Sequence, residues 1–149
     1  MSYALASTTL VSYVLRLSPG EDLKHSLQQF TQNQALAAGC ILTTVGSLQQ
    51  ASVRFADQDT TTLLTGRFEI VSLVGTLSLE GVHLHLAIAD GQGHTLGGHL
   101  MPGCRIHTTA EIIIGSLGGV LFQRMPDPQT GYRELFISEA GEGAEEYKG

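Results

Sequence analysis

From Ala51 onward, short apolar segments separated by turn-forming residues recur along the chain. They lie near residues 51–56, 66–79, 82–89, 95–101, 104–114, 119–124 and 133–137. Segments of this length, divided by glycine-rich or polar turns, are typical of strands that pair with their sequence neighbours. The pattern therefore predicts a mostly antiparallel sheet, and the 18 glycines suit its many tight turns and bulges.

The first part of the chain predicts two strands on either side of a helix. Over residues 9–17, β-branched residues alternate with residues of other types. Residues 40–45 form an apolar run short enough for a core strand. Between them, Ser18-Pro19-Gly20-Glu21 has the form of a capping box with proline at the first helical position. Apolar side chains then recur at helical spacing, at Leu23, Leu27 and Phe30. We expect a helix over residues 20–38, and hence an α+β fold that opens strand–helix–strand and has one principal helix.

The length of 149 residues is that of one domain. We expect residues 1–138 to form this domain. Residues 139–149 alternate glutamate with glycine and contain one lysine, which predicts a flexible acidic tail. A single helix leaves one face of the predicted sheet uncovered, and self-association is one physical way to cover it.

Charge and cysteine content exclude several classes of protein. Eight Lys and Arg residues against fourteen Asp and Glu residues give a net charge of -6, and the basic residues form no run, which argues against a nucleic-acid surface. Cys40 and Cys104 lie in apolar runs, which is typical of buried free thiols in a reducing compartment. The sequence shows neither a secretory leader nor an apolar run long enough for a membrane span. We therefore expect a cytoplasmic protein without membrane contact.

Three histidines are the strongest candidate for a binding site. His83 and His85 share one face if residues 82–89 form a strand, because side chains at i and i+2 point the same way. His99 joins them only if the hairpin register is right. A three-residue loop at 91–93 would place His99 directly opposite His85, whereas a loop of two or four residues would break that pairing.

Such a cluster is either a divalent-metal site or a structural group of polar side chains. Three neutral imidazoles are good ligands for zinc and leave a fourth position open to water or substrate. An enzyme would also need a general base, and the available carboxylates are Glu80, Asp90 and Glu111. Glu111 interrupts an apolar strand and is the low-ranked catalytic candidate; a hydrogen bond or an ion pair is its more ordinary role.

Five short segments, in a consistent order and spacing, carry a family resemblance that covers nearly the whole chain. They are residues 66–73, 81–85, 97–100, 103–104 and 109–111. With these segments the chain resembles the plant and prokaryote conserved (PPC) domain, in the stand-alone form found in prokaryotes. The resemblance implies an α+β fold that assembles as a homotrimer. Some archaeal members of the family contain metal near the matching histidines, so the resemblance favours the interpretation of His83, His85 and His99 as ligands.

Plant members join this domain to AT-hook motifs that enter A·T-rich minor grooves, and no Arg-Gly-Arg arm of that kind occurs here. The segment Gly66, Arg67, Phe68, Glu69, Ile70 and Val71 matches a hexapeptide that, in plant members, contacts partner proteins. The resemblance thus implies a role in partner contact or assembly. The alternation of side chains allows a plainer interpretation, in which Phe68 and Ile70 face the core while Arg67 and Glu69 carry surface charges or form a subunit ion pair.

The sequence favours a cytoplasmic, homotrimeric binding or regulatory module. His83, His85 and His99 would hold a divalent metal such as zinc, or a small ligand. A metal-dependent enzyme of hydrolase type is the first alternative, and a DNA-binding regulator is the second, which the net charge of -6 disfavours.

Overall fold

The computed structural model describes residues 3–141, which form eight strands and one helix. Their order is β1 (Thr9–Leu17), α1 (Leu23–Asn33), β2 (Gly39–Arg54), β3 (Thr62–Ser78), β4 (Gly81–Ala89), β5 (Thr95–Leu100), β6 (Arg105–Gly118), β7 (Val120–Pro126) and β8 (Arg133–Glu139). The prediction of a mostly antiparallel α+β fold with a strand–helix–strand opening is confirmed.

Six of these strands form one curved antiparallel sheet in the order β1-β6-β2-β3-β4-β5. The sheet curls back on itself, because the end of β2 also pairs with β5. In this second pairing Val53 is opposite Leu100 and Arg54 is opposite His99. Strands β7 and β8 form a separate two-stranded hairpin. The curl therefore brings two segments that are far apart in the sequence to one edge of the fold.

The core lies between α1 and the inner face of the sheet. Leu23 and Leu27 of the helix are completely buried, as the helical spacing predicts. In β4, the buried side chains of Leu84 and Leu86 alternate with more exposed neighbours. This alternation sends the even-numbered side chains of the strand inward and its two histidines outward.

The helix is shorter at both ends than the predicted span of residues 20–38. Asp22 caps its N-terminus, with its Oδ1 accepting a hydrogen bond from the His25 N–H at 3.0 Å. Glu21 does reach back to the Ser18 N–H, at 2.6 Å, but this contact closes a turn that precedes the helix. At the other end Ala35 adopts a left-handed φ of 47°, which ends the helix before Gly39. The helix therefore begins after its capping residue Asp22, and not near Pro19 as the capping-box pattern predicted.

The apolar runs predicted near 40–45 and 51–56 belong to one strand, β2. The residues between them do not form a turn; they hold irregularities in the register with β6 and β3, around Gly46 and between Leu48 and Gln50. A Cβ at Gly46 would overlap the Thr109 carbonyl oxygen of β6, so the strands approach closely at this point. A bulge, rather than a loop, separates the two apolar runs.

At the C-terminal end, β8 extends to Glu139, the first residue of the predicted acidic tail. The rest of that tail, beyond Gly141, lies outside the described residues. In the described part of the chain no helix combines the length and the apolar character that crossing a membrane requires.

Candidate metal centre

The β4–β5 hairpin places the three histidines on one face. Its loop is residues 91–93, closed by a hydrogen bond from the Asp90 N–H to the His94 carbonyl oxygen at 3.0 Å. Gly93 takes the left-handed φ of 84° that such a loop requires. In the resulting register His85 lies directly opposite His99. Of the loop lengths that the sequence left open, the structure therefore has the three-residue loop, which pairs His85 with His99.

The three imidazoles form a compact triangle. The ring centroids are 5.2 Å apart for His83 and His85, 5.1 Å for His83 and His99, and 5.7 Å for His85 and His99. One ligand nitrogen from each ring lies within 4.8 Å of the other two. Nitrogens bound at about 2.0–2.1 Å to a tetrahedral ion stand roughly 3.3 Å apart, so small side-chain rotations would let all three bind one ion.

Two glycines let the strands that carry the histidines approach closely. An added Cβ at Gly75 of β3 would overlap the carbonyl oxygen of His83 on β4. An added Cβ at Gly98 of β5 would meet the carbonyl oxygen of Arg54 on β2 at 2.6 Å. Close backbone contacts on both sides thus hold β4 and β5 in place, which orients the imidazoles before any ligand binds.

The surroundings of the cluster favour neutral imidazoles. Burial, and then the positive charge of Lys24, lower the pKa of His99 to about 4. Burial, and then the charge of Arg124, also lower the pKa of His83. Because a metal binds the neutral ring, both side chains are in their ligand form at neutral pH without first losing a proton.

The metal-free protein should lose stability as the pH falls through the range in which His99 titrates. The ordinary pKa of 6.5 applies to the unfolded chain and a pKa of about 4 to the folded one, so between these values the unfolded chain binds more protons. This contribution to the free energy of unfolding is complete above pH 6.5 and is lost as the pH falls towards 4. Urea unfolding at about pH 7 and about pH 5 should show a smaller decline for His99→Gln than for the native chain. Equal declines would contradict the prediction.

A cavity of about 810 Å³ opens beside His83 and His99. Its other walls come from the residues that follow β2, the turn between β3 and β4, and the β7–β8 hairpin. The charged side chains on these walls include Arg54, Asp57, Glu80, Arg124 and Glu134. Of these, the sequence pointed only to Glu80. Nothing in the local pattern of residues 120–139 indicates that the hairpin lies against the histidines.

The carboxylates considered as general bases take different positions. Glu111 is exposed on β6, opposite Arg16 of β1 and Val45 of β2, and within one chain it does not line the cavity beside the histidines. Glu80 does line that cavity, and its Oε2 accepts a hydrogen bond from the Arg124 N–H at 2.6 Å. Asp90 serves the hairpin loop, where it accepts hydrogen bonds from backbone N–H groups.

The segment at residues 66–71 lies on β3, away from the histidines. Ile70 is buried and Phe68 packs partly against the core, while Arg67, Glu69 and Val71 are exposed. This is the alternation predicted from the sequence. The exposed charges border a second cavity of about 510 Å³, which shares no lining residue with the first.

Comparison with known proteins gives one family and several close relatives. Residues 5–118 match the model of the Plants and Prokaryotes Conserved (PCC) domain, which is the family that the sequence resembles. A bifunctional protein GlmU from Synechococcus sp. (strain JA-3-3Ab) is 53% identical over 138 residues, or 93% of this chain and 22% of that protein. AT-hook motif nuclear-localized protein 2 of Arabidopsis thaliana is 26% identical over 133 residues, or 83% of this chain and 40% of that protein. The chain thus spans less than half the length of these curated relatives.

Solved structures repeat the same fold. A hypothetical protein from Salmonella cholerae-suis is 47% identical and superposes with a TM-score of 0.89, covering 92% of this chain and 99% of that one. A metal-containing protein from Archaeoglobus fulgidus is 24% identical, with a TM-score of 0.76 over 91% of this chain and 99% of that one. The second similarity is evidence for the fold alone.

Proposed function

This chain belongs to the Plants and Prokaryotes Conserved domain family, and we propose that it is a binding or regulatory module in which His83, His85 and His99 hold one divalent metal ion such as zinc. The observation that carries the proposal is the triangle of ligand nitrogens, all within 4.8 Å of one another. Within residues 3–141 it is the one group of three or more potential ligands with this geometry. The metal-containing protein from Archaeoglobus fulgidus has the same fold, which is consistent with the proposal.

The residues of this chain would supply an open, three-ligand site. His83 and His85 are exposed and His99 is half-buried, so the face of the triangle opposite the sheet stays accessible. A metal ion bound there would offer a further coordination position to water or to a small ligand. The strands orient the rings, and the neighbouring cavity admits the ligand. The site therefore suits reversible ligand binding better than a purely structural role, in which four protein ligands would be expected.

Metal analysis of protein purified without a metal-affinity tag tests this proposal. We expect about one zinc ion per chain after zinc loading and gel filtration. A His83→Ala, His99→Ala double variant should retain none. A matched variant, His25→Ala with His94→Ala, changes two histidines outside the cluster and should bind like the native chain. Absence of stoichiometric metal in the native chain would contradict the proposal.

One observation favours a metal-dependent hydrolase as a second candidate function. Glu134 of β8 is half-buried and lines the same cavity as His83 and His99, where a carboxylate could take a proton from a metal-bound water. Turnover in a broad hydrolase screen should then disappear in Glu134→Gln and in the histidine variants. Glu111→Gln tests the carboxylate that the sequence suggested; because Glu111 does not line this cavity within one chain, we expect the variant to keep its turnover. A screen without turnover would leave the binding module as the function.

We further propose that the module assembles as a homotrimer. The outer face of β1, β6 and β2 carries exposed apolar side chains, including Leu10, Val14, Leu42 and Val45. Leu10 and Leu42 lie on the same face, because an added Cβ at Gly115 would meet both, at 2.9 Å and 3.3 Å. An exposed apolar patch on a sheet is typical of a subunit interface. The stoichiometry of three rests on the family resemblance.

Replacing Val14 with aspartate should break this assembly. Val14 is 80% exposed in the single chain, so a charge there costs the folded chain little, but it would be desolvated within an apolar interface. Light scattering after gel filtration should give the mass of three chains for the native protein and of one chain for the variant. Gln129→Asp, which makes the same change of charge on an exposed loop, should remain a trimer. A native chain that elutes as a monomer would contradict the proposal.

Arg67 and Glu69 remain our proposed surface for assembly or for a protein partner, since both are exposed beside the second cavity.

DNA contact by this chain alone is disfavoured by its net charge of -6. The free thiols of Cys40 and Cys104 are consistent with a reducing compartment, and we propose the cytoplasm.

A further inference from the structure

Three cationic side chains border the histidine cluster. Arg54 lies opposite His99 in the β2–β5 pairing, and both line the cavity. Arg124 Nη2 donates a hydrogen bond at 3.0 Å to Thr76 Oγ1.

Thr76 is the β3 residue opposite His83, so Arg124 borders the cluster on the side away from Arg54. Lys24 Nζ donates to the carbonyl oxygen of Leu100, the residue after His99, at 3.0 Å. Positive charge thus stands on two sides of the imidazoles.

Four carboxylates line the same cavity, those of Asp57, Asp59, Glu80 and Glu134. In the part of the chain that the structure describes, none of them forms an ion pair with any of these three cations. The ion pairs within 4.0 Å are His94 with Asp90 and Arg133 with Glu80. The Glu80 carboxylate already forms an ion pair with Arg133 and accepts a hydrogen bond from a backbone N–H group. Arg54 donates only a long hydrogen bond of 3.3 Å, to the Gln58 carbonyl oxygen. Most N–H donors of the Arg54 and Arg124 guanidinium groups therefore have no hydrogen-bond acceptor among the described residues.

A divalent ion at the three neutral histidines would add two further positive charges to this region. Cations close to a metal ion repel it unless an anion lies between them. Guanidinium groups present planar pairs of N–H donors that match the oxygens of a carboxylate or a phosphate. The cavity of about 810 Å³ is of the size that accommodates a small organic molecule and exceeds the space that a single ion needs.

We propose that the cavity binds a small organic oxyanion, a carboxylate or a phosphate, that coordinates the metal held by His83, His85 and His99 while Arg54 and Arg124 bind its remaining oxygens. This inference rests on the proposed metal site and adds the class of its ligand. Arg54 and Arg124 act as specificity residues. Lys24 contributes charge from a half-buried position beside His99.

Titration of the cobalt-loaded chain tests the inference. Cobalt(II) bound to three histidines has a visible absorption spectrum that changes when an anion enters its coordination sphere. Inorganic phosphate and acetate are the two probes, with perchlorate at equal ionic strength as the control for screening. We expect a saturable change with at least one probe and none with perchlorate. Comparing phosphate with acetate identifies the kind of oxyanion that the site prefers.

Arginine variants connect the spectral change to the proposed residues. Arg54→Gln and Arg124→Gln should each raise the dissociation constant of the effective probe by about 10-fold, while one cobalt per chain is retained. Arg124→Lys keeps the charge without the planar donor pair and should give a smaller increase. Arg105→Gln is the control for the loss of one positive charge, because Arg105 is exposed and does not line this cavity.

The outcomes separate this inference from the proposal on which it rests. A chain that binds no cobalt overturns both. A chain that binds one cobalt while its spectrum responds to neither anion keeps the metal site and overturns the oxyanion ligand. A response that is unchanged in both arginine-to-glutamine variants overturns the assignment of Arg54 and Arg124.

Discussion

Replacing Gly75 with alanine is expected to lower the free energy of unfolding by about 3 kcal/mol or more and to disrupt the histidine cluster. Gly75 has a φ of 141°, which L side chains rarely adopt, and an added Cβ would overlap the carbonyl oxygen of His83. The obstructing atom belongs to the backbone and cannot rotate away, so β3 and β4 would have to separate. Urea unfolding measures the loss of stability, and zinc titration of the folded fraction measures the damage to the cluster.

Gly81 offers a matched control for the backbone strain. Its φ of 135° is similar, but an added Cβ meets no atom within 4 Å. Gly81→Ala should therefore carry the conformational cost alone, about 1–2 kcal/mol, and should keep its metal affinity. If the two variants were equally stable, the close approach of β3 to β4 at Gly75 would not be what holds His83.

Replacing His99 alone with alanine is expected to weaken zinc binding by about 100-fold or more. Only His83 and His85 of β4 would then remain, and two ligands leave most of the coordination sphere to water. Competition with a chelator of known zinc affinity measures the change. His94→Ala is the matched control, because His94 is exposed at the end of the same hairpin loop and points to Asp90, at 3.3 Å.

The His99 result also separates a metal site from a structural cluster of polar side chains. If His99→Ala bound zinc within about 3-fold of the native chain, His99 would not be a ligand, and the close packing of the rings would be the whole of its role. His85→Ala should behave like His99→Ala, because the two residues are cross-strand partners in the hairpin. A loss in only one of the two would contradict a three-ligand site.

Much of the fold followed from short-range patterns. Strand periodicity predicted that His83 and His85 share one face, because side chains alternate across any strand, and the burial pattern of β4 shows that this face points outward. A three-residue loop would place His85 opposite His99, since loop length sets the register of paired strands, but the sequence left the loop length open and the structure decided it. Where two local signals competed, the prediction was less accurate. Asp22, rather than the preceding capping-box pattern, starts the helix, and a bulge around Gly46 joins two predicted strands into one.

The surroundings of the histidines depend on contacts between distant parts of the chain. Arg54 comes beside His99 because the sheet curls until β2 meets β5, and Arg124 comes beside His83 because the β7–β8 hairpin lies against that edge. Glu111, which the sequence offered as a catalytic candidate beside the cluster, lies on β6, and strands β2 and β3 separate β6 from β4 in the sheet.

The sequence by itself determined that His83 and His85 share a face, because strand periodicity is enough to align them, and it made His99 their neighbour only on the condition of a three-residue hairpin loop. The tertiary structure alone decided which charges and which cavity they face. The physical reason is the sequence distance over which each effect acts. Strand periodicity and loop length depend on residues that are close in the sequence. The curl of the sheet and the packing of the β7–β8 hairpin instead bury apolar surface contributed by distant parts of the chain. No local sequence pattern therefore predicts which charged side chains lie beside the histidines.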